Sequence, residues 1–304
     1  MGSVSHSEVD SYLLCRRKHY YGYGLGLERV NTSDSLATGS LGHQVLEAFY
    51  KTILEAGDTL ELQKAAWDKA FAVAHDTYNQ AVKEGYESPD NRQDFSEVLF
   101  NETYGYFATE TYVGHDLICA VEMKFSLQYD EINESKYPFV VDLIIKTKAG
   151  DFVVVDHKFV YDFYTIDASL LQPQIPKYIG ALRGLNYAIA YGQYNMVRTR
   201  KIKAPTVDQM HQTLDVKPNT TRVVRTFQEQ LHVAAEVQAL KELPIEEQEQ
   251  RAWRVANKMV CQSCSFKDLC ISDLIGGNSK LLMKTEYKKR ERKEFVVSEE
   301  AEAS

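Results

Sequence analysis

Two sets of residues in this chain have types and spacings that can do chemistry. The first is Asp142, then Asp156-His157-Lys158, then Gln174-x-x-x-Tyr178. The second is Cys15, answered far downstream by Cys261-x-x-Cys264 and Cys270. Asp142 lies inside the apolar run Phe139-Val140-Val141-Asp142-Leu143-Ile144-Ile145, and Asp156 ends the run Phe152-Val153-Val154-Val155. A carboxylate in such a place is costly to bury unless a cation compensates it. Two adjacent strands that each deliver an Asp suit a hard divalent ion, which takes oxygen ligands. Lys158 follows Asp156 by two residues and so shares its strand face. An ammonium there can orient or help deprotonate water and stabilise a pentavalent phosphate. The implied chemistry is metal-assisted hydrolysis of a phosphodiester. The alternative is a pair of solvent-facing aspartates with a salt-bridged lysine; Asp-x13-Asp-x-Lys on consecutive strands counts against it. Gln174 and Tyr178 lie one helical turn apart and share a face that can reach Lys158 or a phosphate.

His43 sits in Gly39-Ser40-Leu41-Gly42-His43-Gln44. A lone helical histidine suits packing or the surface more often than a metal. The small neighbours Gly39 and Gly42 leave room for close approach, and beside the carboxylates His43 is a candidate third ligand. Its nitrogen favours Mn²⁺ over Mg²⁺. Glu122, in Val121-Glu122-Met123-Lys124-Phe125, reads as a supporting or structural residue.

Cys261-x2-Cys264-x5-Cys270 is a metal or cluster pattern that needs a fourth ligand. Cys119, in Leu117-Ile118-Cys119-Ala120-Val121, reads as a core strand position where a thiol acts as a small hydrophobe. Cys15 precedes Arg16-Arg17-Lys18, whose charges favour a thiolate, and it is the choice. Four thiolates fit Zn²⁺ or a [4Fe–4S] cluster. A zinc ribbon usually shows two Cys-x-x-Cys knuckles and here there is one, so the spacing leans to the cluster. Its role would be structural, closing a long loop.

The elements that must position these residues follow from periodicity. Helices are expected over 35–56, 60–84 and 91–112, with Leu41, Val45, Leu46, Phe49 and Ile53 at helical spacing in the first. Strands are expected over 117–129, 139–147 and 152–158, the last two joined by the turn Lys148-Ala149-Gly150-Asp151. A helical stretch over 167–190, a strand over 194–202 and a long helix or helix pair over 219–257 follow. Tyr20, Tyr21, Tyr23, Tyr161 and Tyr164 suit core packing better than base stacking. Arg198, Arg200, Lys201 and Lys203 form a basic strand, either a path for a polyanion or a solvated edge.

The chain has 304 residues, with 44% hydrophobic and 26% charged, and a formal net charge of −8. That charge argues against coating nucleic acid by bulk electrostatics but leaves room for a local basic groove. No apolar run nears the roughly 20 residues a membrane span needs. The first residues lack a secretory pattern, and five cysteines suit metal ligation in a reducing compartment. A cytoplasmic location without membrane attachment is the expectation. From Lys284 the charge runs read as a solvated, mobile tail.

His43, Asp142, Asp156-x-Lys158 and Gln174-x-x-x-Tyr178 resemble the successive motifs of the RecB-like branch of the PD-(D/E)xK nuclease superfamily. The Cys15…Cys261-x2-Cys264-x5-Cys270 frame is similar to its iron–sulfur members, the AddB-type helicase–nuclease subunit and the small CRISPR-associated exonucleases. The family more often has Pro after the first Cys, here Arg16, and Thr after the catalytic Lys, here Phe159. The resemblance covers roughly residues 5–275. It implies an α/β, restriction-endonuclease-like core, a central mixed sheet flanked by helices, with a helical insert over 58–115 and a C-terminal iron–sulfur clasp. On this reading residues 1–283 form a single nuclease domain, 258–275 close on Cys15, and 284–304 are the tail. His43, Asp142, Asp156 and the backbone carbonyl of His157 would bind Mn²⁺ or Mg²⁺. Lys158 would be catalytic, supported by Gln174 and Tyr178, and Cys15, Cys261, Cys264 and Cys270 would hold [4Fe–4S], with Zn²⁺ as the alternative. The implied activity is a DNA exonuclease on single strands from an end, 5′ to 3′ favoured. It would serve recombination, repair, phage DNA processing or CRISPR adaptation, with partners from those systems and a homo-oligomer in view. No Gly-x-x-x-x-Gly-Lys-Ser/Thr loop accompanies it. The alternative is a non-catalytic iron–sulfur module that binds DNA or a partner protein.

Overall fold

In the computed structural model the runs that carry Asp142 and Asp156 become neighbouring strands. The structure describes residues 2–30, 34–101, 105–108, 117–130, 135–255, 257–291 and 295–298. In chain order the elements begin with α1 (His6–Leu14), α2 (Arg16–His19), β1 (Leu27–Arg29), α3 (Asp34–Glu55) and α4 (Leu60–Lys83). There follow β2 (Leu117–Asp130), β3 (Ser135–Lys146), β4 (Phe152–Val160), α5 (Ile166–Leu171), α6 (Gln174–Gly184) and β5 (Ile189–Arg198). The rest are α7 (Val207–Met210), β6 (His211–Val216), α8 (Thr220–Lys241), α9 (Ile245–Gln250), α10 (Lys258–Gln262), α11 (Lys267–Leu274), α12 (Ser279–Thr285) and β7 (Tyr287–Lys289).

Strands β2-β3-β4-β5-β6 form one mixed sheet in that order. β3 and β4 are antiparallel, joined by a turn in which Gly150 takes φ +92, a region open to glycine at little cost. β4 and β5 are parallel, so α5 and α6 must cross between them. β6 closes the order antiparallel to β5.

The chain packs as two compact units, each assembled from separated pieces. One comprises Asp34–Phe125, Val140–Phe227 and Ser298–Ser304. Its core gathers Leu41, Val45, Leu46, Phe49, Tyr50 and Ile53 of α3 against Leu143, Ile145, Val153 and Val155 of the sheet. Each such side chain contributes about 1.5–3 kcal/mol by leaving water, which anchors the helix that carries His43. On α4, Ala66, Ala70, Ala74 and Tyr78 repeat every four residues as a buried stripe, and the small alanines let α4 lie close to α3. Thr59 caps α4 by accepting a hydrogen bond from the Leu62 amide.

The other unit comprises Met1–Ser33, Ser126–Phe139 and Gln228–Val297. Its core is Tyr20, Tyr21, Leu27, Ala252, Phe266, Leu269 and Tyr287, with Cys264 and Cys270 packed against it. Buried Glu8 joins α1, α2 and α8: His19 Nε2 and Lys241 Nζ each stand 3.2 Å from its oxygens. Burial alone would raise the Glu8 pKa, but His19 and Lys241 outweigh it and hold the carboxyl below its usual range.

Five expectations change. The strand expected over 194–202 runs Ile189–Arg198, so Arg200, Lys201 and Lys203 lie past its end. Residues 91–112 do not form one helix: among those described there are short turns at Ser96–Phe100 and Tyr106–Ala108. Phe95, Val98, Leu99, Tyr106 and Phe107 are all buried, and a helix with one apolar face could not bury them together. Cys119 is exposed rather than a core residue, because Ile118 and Ala120 take the inward positions on β2. Tyr161 is 48% exposed rather than packed inside. The segment read as a charged tail carries β7, which pairs with β1.

Candidate metal-dependent active site

Asp142 and Asp156 lie one step beyond the last paired residues of the β3–β4 hairpin, Leu143 and Val155. The backbone amide of His157 donates to Asp142 Oδ2 at 2.9 Å and fixes that carboxylate. His43, on α3, brings Nδ1 to 3.6 Å from Asp142 Oδ2 and 3.9 Å from Glu122 Oε1. Ligand atoms of His43, Glu122 and Asp142 all lie within 4.8 Å of one another. Two oxygens and an imidazole nitrogen at that spacing can hold a divalent ion.

Glu122 is the residue that the strand pattern undervalues. It takes φ +48, a left-handed conformation rare for a non-glycine residue and rarer within a strand. Ile118 and Val121 of β2 enter the same core cluster although three residues apart, which a regular strand with period two does not allow. The irregularity behaves like a β-bulge and re-aims the side chain. Such strain clusters at functional sites.

Asp156 is fully buried. Its Oδ1 has no hydrogen-bond partner, and Oδ2 meets the Lys158 ammonium at 2.6 Å as an ion pair without hydrogen-bond alignment. Lys158 Nζ also donates to Gln174 Oε1 at 2.8 Å, and Gln174 Nε2 donates to the Tyr178 hydroxyl at 3.0 Å. The helical i, i+4 pair on α6 thus holds the lysine head. An unsatisfied buried carboxylate oxygen beside the His43–Glu122–Asp142 group fits a bound cation.

The electrostatics agree. Burial pushes the Asp156 carboxyl up to about 6, Asp142 adds to this and Lys158 opposes it. Burial also raises the Asp142 carboxyl, against the pull of His43. Burial lowers the His43 pKa, but Glu122, Asp142 and Asp156 outweigh it and leave it raised. His43 and the Lys158 ammonium face the carboxyl groups of Glu122, Asp142 and Asp156.

His157 turns its ring to the opposite face of the strand. It stacks on Tyr50 at 5.6 Å, and Asn195 Nδ2 donates to its Nδ1 at 2.9 Å. Burial holds its pKa well below the ordinary value, so the ring is neutral. Its side chain serves packing, while its main chain runs beside Asp142.

Phe159 stands where the resemblance leads one to expect Thr, and Gly42 explains how it fits. The Phe159 ring fills the space of a Gly42 Cβ and lies 5.6 Å from the His43 ring. Gly42→Ala should therefore destabilise the chain by about 1–3 kcal/mol through overpacking. Phe159→Thr should remove most of that penalty in the double variant. A urea-denaturation cycle measures the coupling, and additive effects would show that the two residues do not share the space.

The four cysteines expected to form a clasp, Cys15, Cys261, Cys264 and Cys270, lie in one unit. Burial raises the Cys264 thiol, and the nearby Cys15 and Cys270 add to this. Arg254 Nε donates to Cys270 Sγ at 3.2 Å. Cys261, on α10, is exposed with its sulfur 3.6 Å from the Val255 carbonyl. The structure therefore brings Cys15, Cys264 and Cys270 near one another and leaves Cys261 at the margin.

A mixed sheet with acidic residues at the ends of a β-hairpin, a following lysine and a metal-ligand group is the arrangement of a metal-dependent nuclease. The chain belongs to the PD-(D/E)XK nuclease superfamily, whose family model matches residues 3–271. The five-stranded mixed sheet flanked by helices is consistent with a restriction-endonuclease-like core. No curated protein sequence matches the chain. Among solved structures, one described as "Crystal structure of SSO0001" is 10% identical, with a TM-score of 0.38 over 88% of this chain and 85% of the other. Among the described residues, no helix is long and apolar enough to cross a membrane.

Proposed function

We propose that this chain is a divalent-metal-dependent DNA exonuclease of the RecB-like branch, acting on single-stranded DNA from an end, with 5′ to 3′ polarity favoured. The observation that carries the reading is the run of contacts from Asp156 through Lys158 and Gln174 to Tyr178, beside the His43–Glu122–Asp142 group. A binding scaffold has no need of a buried carboxylate with an unsatisfied oxygen. His43, Asp142, Asp156 and the main-chain carbonyl of His157 are the proposed ligands, and Glu122 joins them. Mn²⁺ or Mg²⁺ there would acidify a bound water and offset charge on the phosphate under attack. Lys158, held by Gln174 and Asp156, presents its ammonium to the water or to the phosphate oxygens. Tyr178 keeps the Gln174 amide oriented so that its oxygen faces Lys158. His43 must shed its proton to offer a lone pair, which makes metal affinity rise with pH.

Cys15, Cys261, Cys264 and Cys270 hold a [4Fe–4S] cluster on this reading, with Zn²⁺ the alternative.

End-labelled single-stranded DNA, incubated with anaerobically purified protein and Mn²⁺ beside Asp156→Ala, tests the activity. Stepwise loss of label by wild type alone supports the reading and gives the polarity. Cleavage by both proteins, or by neither on single and double strands, removes it.

A further inference from the structure

Past Lys158 the chain leaves β4 and enters Tyr161-Asp162-Phe163-Tyr164. Strand geometry puts Tyr161, three residues on, roughly 10 Å along the chain from Lys158. Its ring is 48% exposed, and the guanidinium carbons of Arg92 and Arg200 lie over it at 5.9 and 5.8 Å. Arg198 covers the Phe163 ring at 4.0 Å. Backbone pairing makes this arrangement deliberate. Gln93 N donates to Thr199 O at 2.7 Å, and Arg92 and Arg200 face each other in an antiparallel bridge.

Like charges directly opposite across a bridge are destabilising. Guanidiniums stay protonated at any working pH, so this pair cannot relieve itself by losing a proton. One carboxylate, Asp162, sits 2.9 Å from Arg200 and is itself 56% exposed. Among the described residues, Asp162 is the one carboxylate within ion-pair distance of Arg92, Arg198 or Arg200, a local positive excess on a chain whose formal charge is −8. Lys201 and Lys203, both exposed, continue the same sign.

We propose that Tyr161, Arg92 and Arg200, with Arg198 and Phe163 alongside, form a subsite that binds one strand of nucleic acid next to the bond being cut. This rests on the nuclease reading above and names the residues that hold the strand. The guanidiniums pair with backbone phosphate, which explains two arginines held side by side. When the guanidiniums turn to phosphate, the half-exposed tyrosine ring they cover offers a face to a base. In a duplex the base faces are covered by their stacked neighbours, so an aromatic platform within reach of phosphate-binding arginines selects a single strand.

The test uses the full chain in Ca²⁺ with a fluorescent oligo-dT, read by anisotropy over a salt series. Tyr161→Ala should weaken binding roughly tenfold, and Tyr161→Phe should bind as wild type. Arg92→Gln with Arg200→Gln should reduce the slope of log K against log salt by about 1.4, the loss of two phosphate contacts. A blunt duplex should show less than half the Tyr161→Ala loss. Wild-type affinity in Tyr161→Ala together with an unchanged salt slope in the arginine pair overturns the subsite. So does an equal Tyr161→Ala loss on duplex. The nuclease reading fails separately. If wild type cleaves no DNA with Mn²⁺ while these binding losses persist, the subsite stands and the catalytic assignment falls.

Discussion

Asp156→Asn is expected to lower metal-dependent cleavage at least about 100-fold while leaving the metal-free protein as stable as wild type or more so. The two halves of this result have one cause. In the folded chain the Asp156 carboxyl is raised from 3.8 to about 6, although Lys158 pulls it down. Burial therefore wins over the ion pair, and the ionised group opposes folding. A raised carboxyl pKa favours the folded state at low pH. That advantage is lost as pH rises from about 4 through about 6. Metal-free wild type should show this decline in thermal stability, and Asp156→Asn should show a smaller one, since the raised Asp142 carboxyl still contributes. Lys158 keeps Gln174 as a partner in the variant, so it is not stranded. Mn²⁺ should raise the melting temperature of wild type much more than that of the variant, because ligand binding stabilises only the form that binds it. Calorimetry in EDTA and in Mn²⁺ over a pH series gives all of this. A variant that cleaves at near wild-type rate would show that Asp156 is not in the reaction centre.

The second large effect concerns the cysteines. On the proposed [4Fe–4S] reading, Cys264→Ser should lose bound iron and its visible absorption, and the unit that contains Cys264 should unfold at lower temperature. A link between Cys15 and Cys264 closes a loop of about 250 residues, worth about 5 kcal/mol on the chain-entropy account of a cross-link. For a chain of this size that corresponds to a fall of roughly 10–20 °C. Cys119→Ser is the control, since Cys119 is exposed on β2. Iron analysis and differential scanning calorimetry on anaerobically prepared proteins decide it. Full iron in Cys264→Ser, or its loss in Cys119→Ser, would redraw the ligand set.

Much of the site was legible in the sequence because its geometry is periodic. Asp156 and Lys158 share a face by the period of a strand, and Gln174 and Tyr178 by the turn of a helix. The structure joins all four by contact. Glu122 was undervalued because its placement depends on a backbone irregularity at φ +48, which no alternation reveals. β6 was missed since His211-Gln-Thr-Leu-Asp-Val has only its two ends buried and reads as polar loop. The expected helix over 91–112 failed for the opposite reason. Its aromatics are plentiful, but their spacing serves several buried sites rather than one face. The bridge between Arg92 and Arg200 joins residues more than a hundred positions apart, beyond any local pattern.

The unit that holds Cys15, Cys261, Cys264 and Cys270 draws on both the first 33 residues and those from Gln228 on. This sets an order of events during synthesis. At about 5–20 residues per second, Cys264 follows Cys15 out of the ribosome by roughly 10–50 s. Through that interval the α1–α2 segment has no Phe266, Leu269 or Tyr287 to pack against, while Asp34–Phe125 and Val140–Phe227 of the other unit are emerging. The hydrolytic half can therefore begin to fold while the cysteine half waits for its last pieces. A nascent chain would therefore carry the acidic residues before the last pieces of the cysteine-bearing unit have emerged.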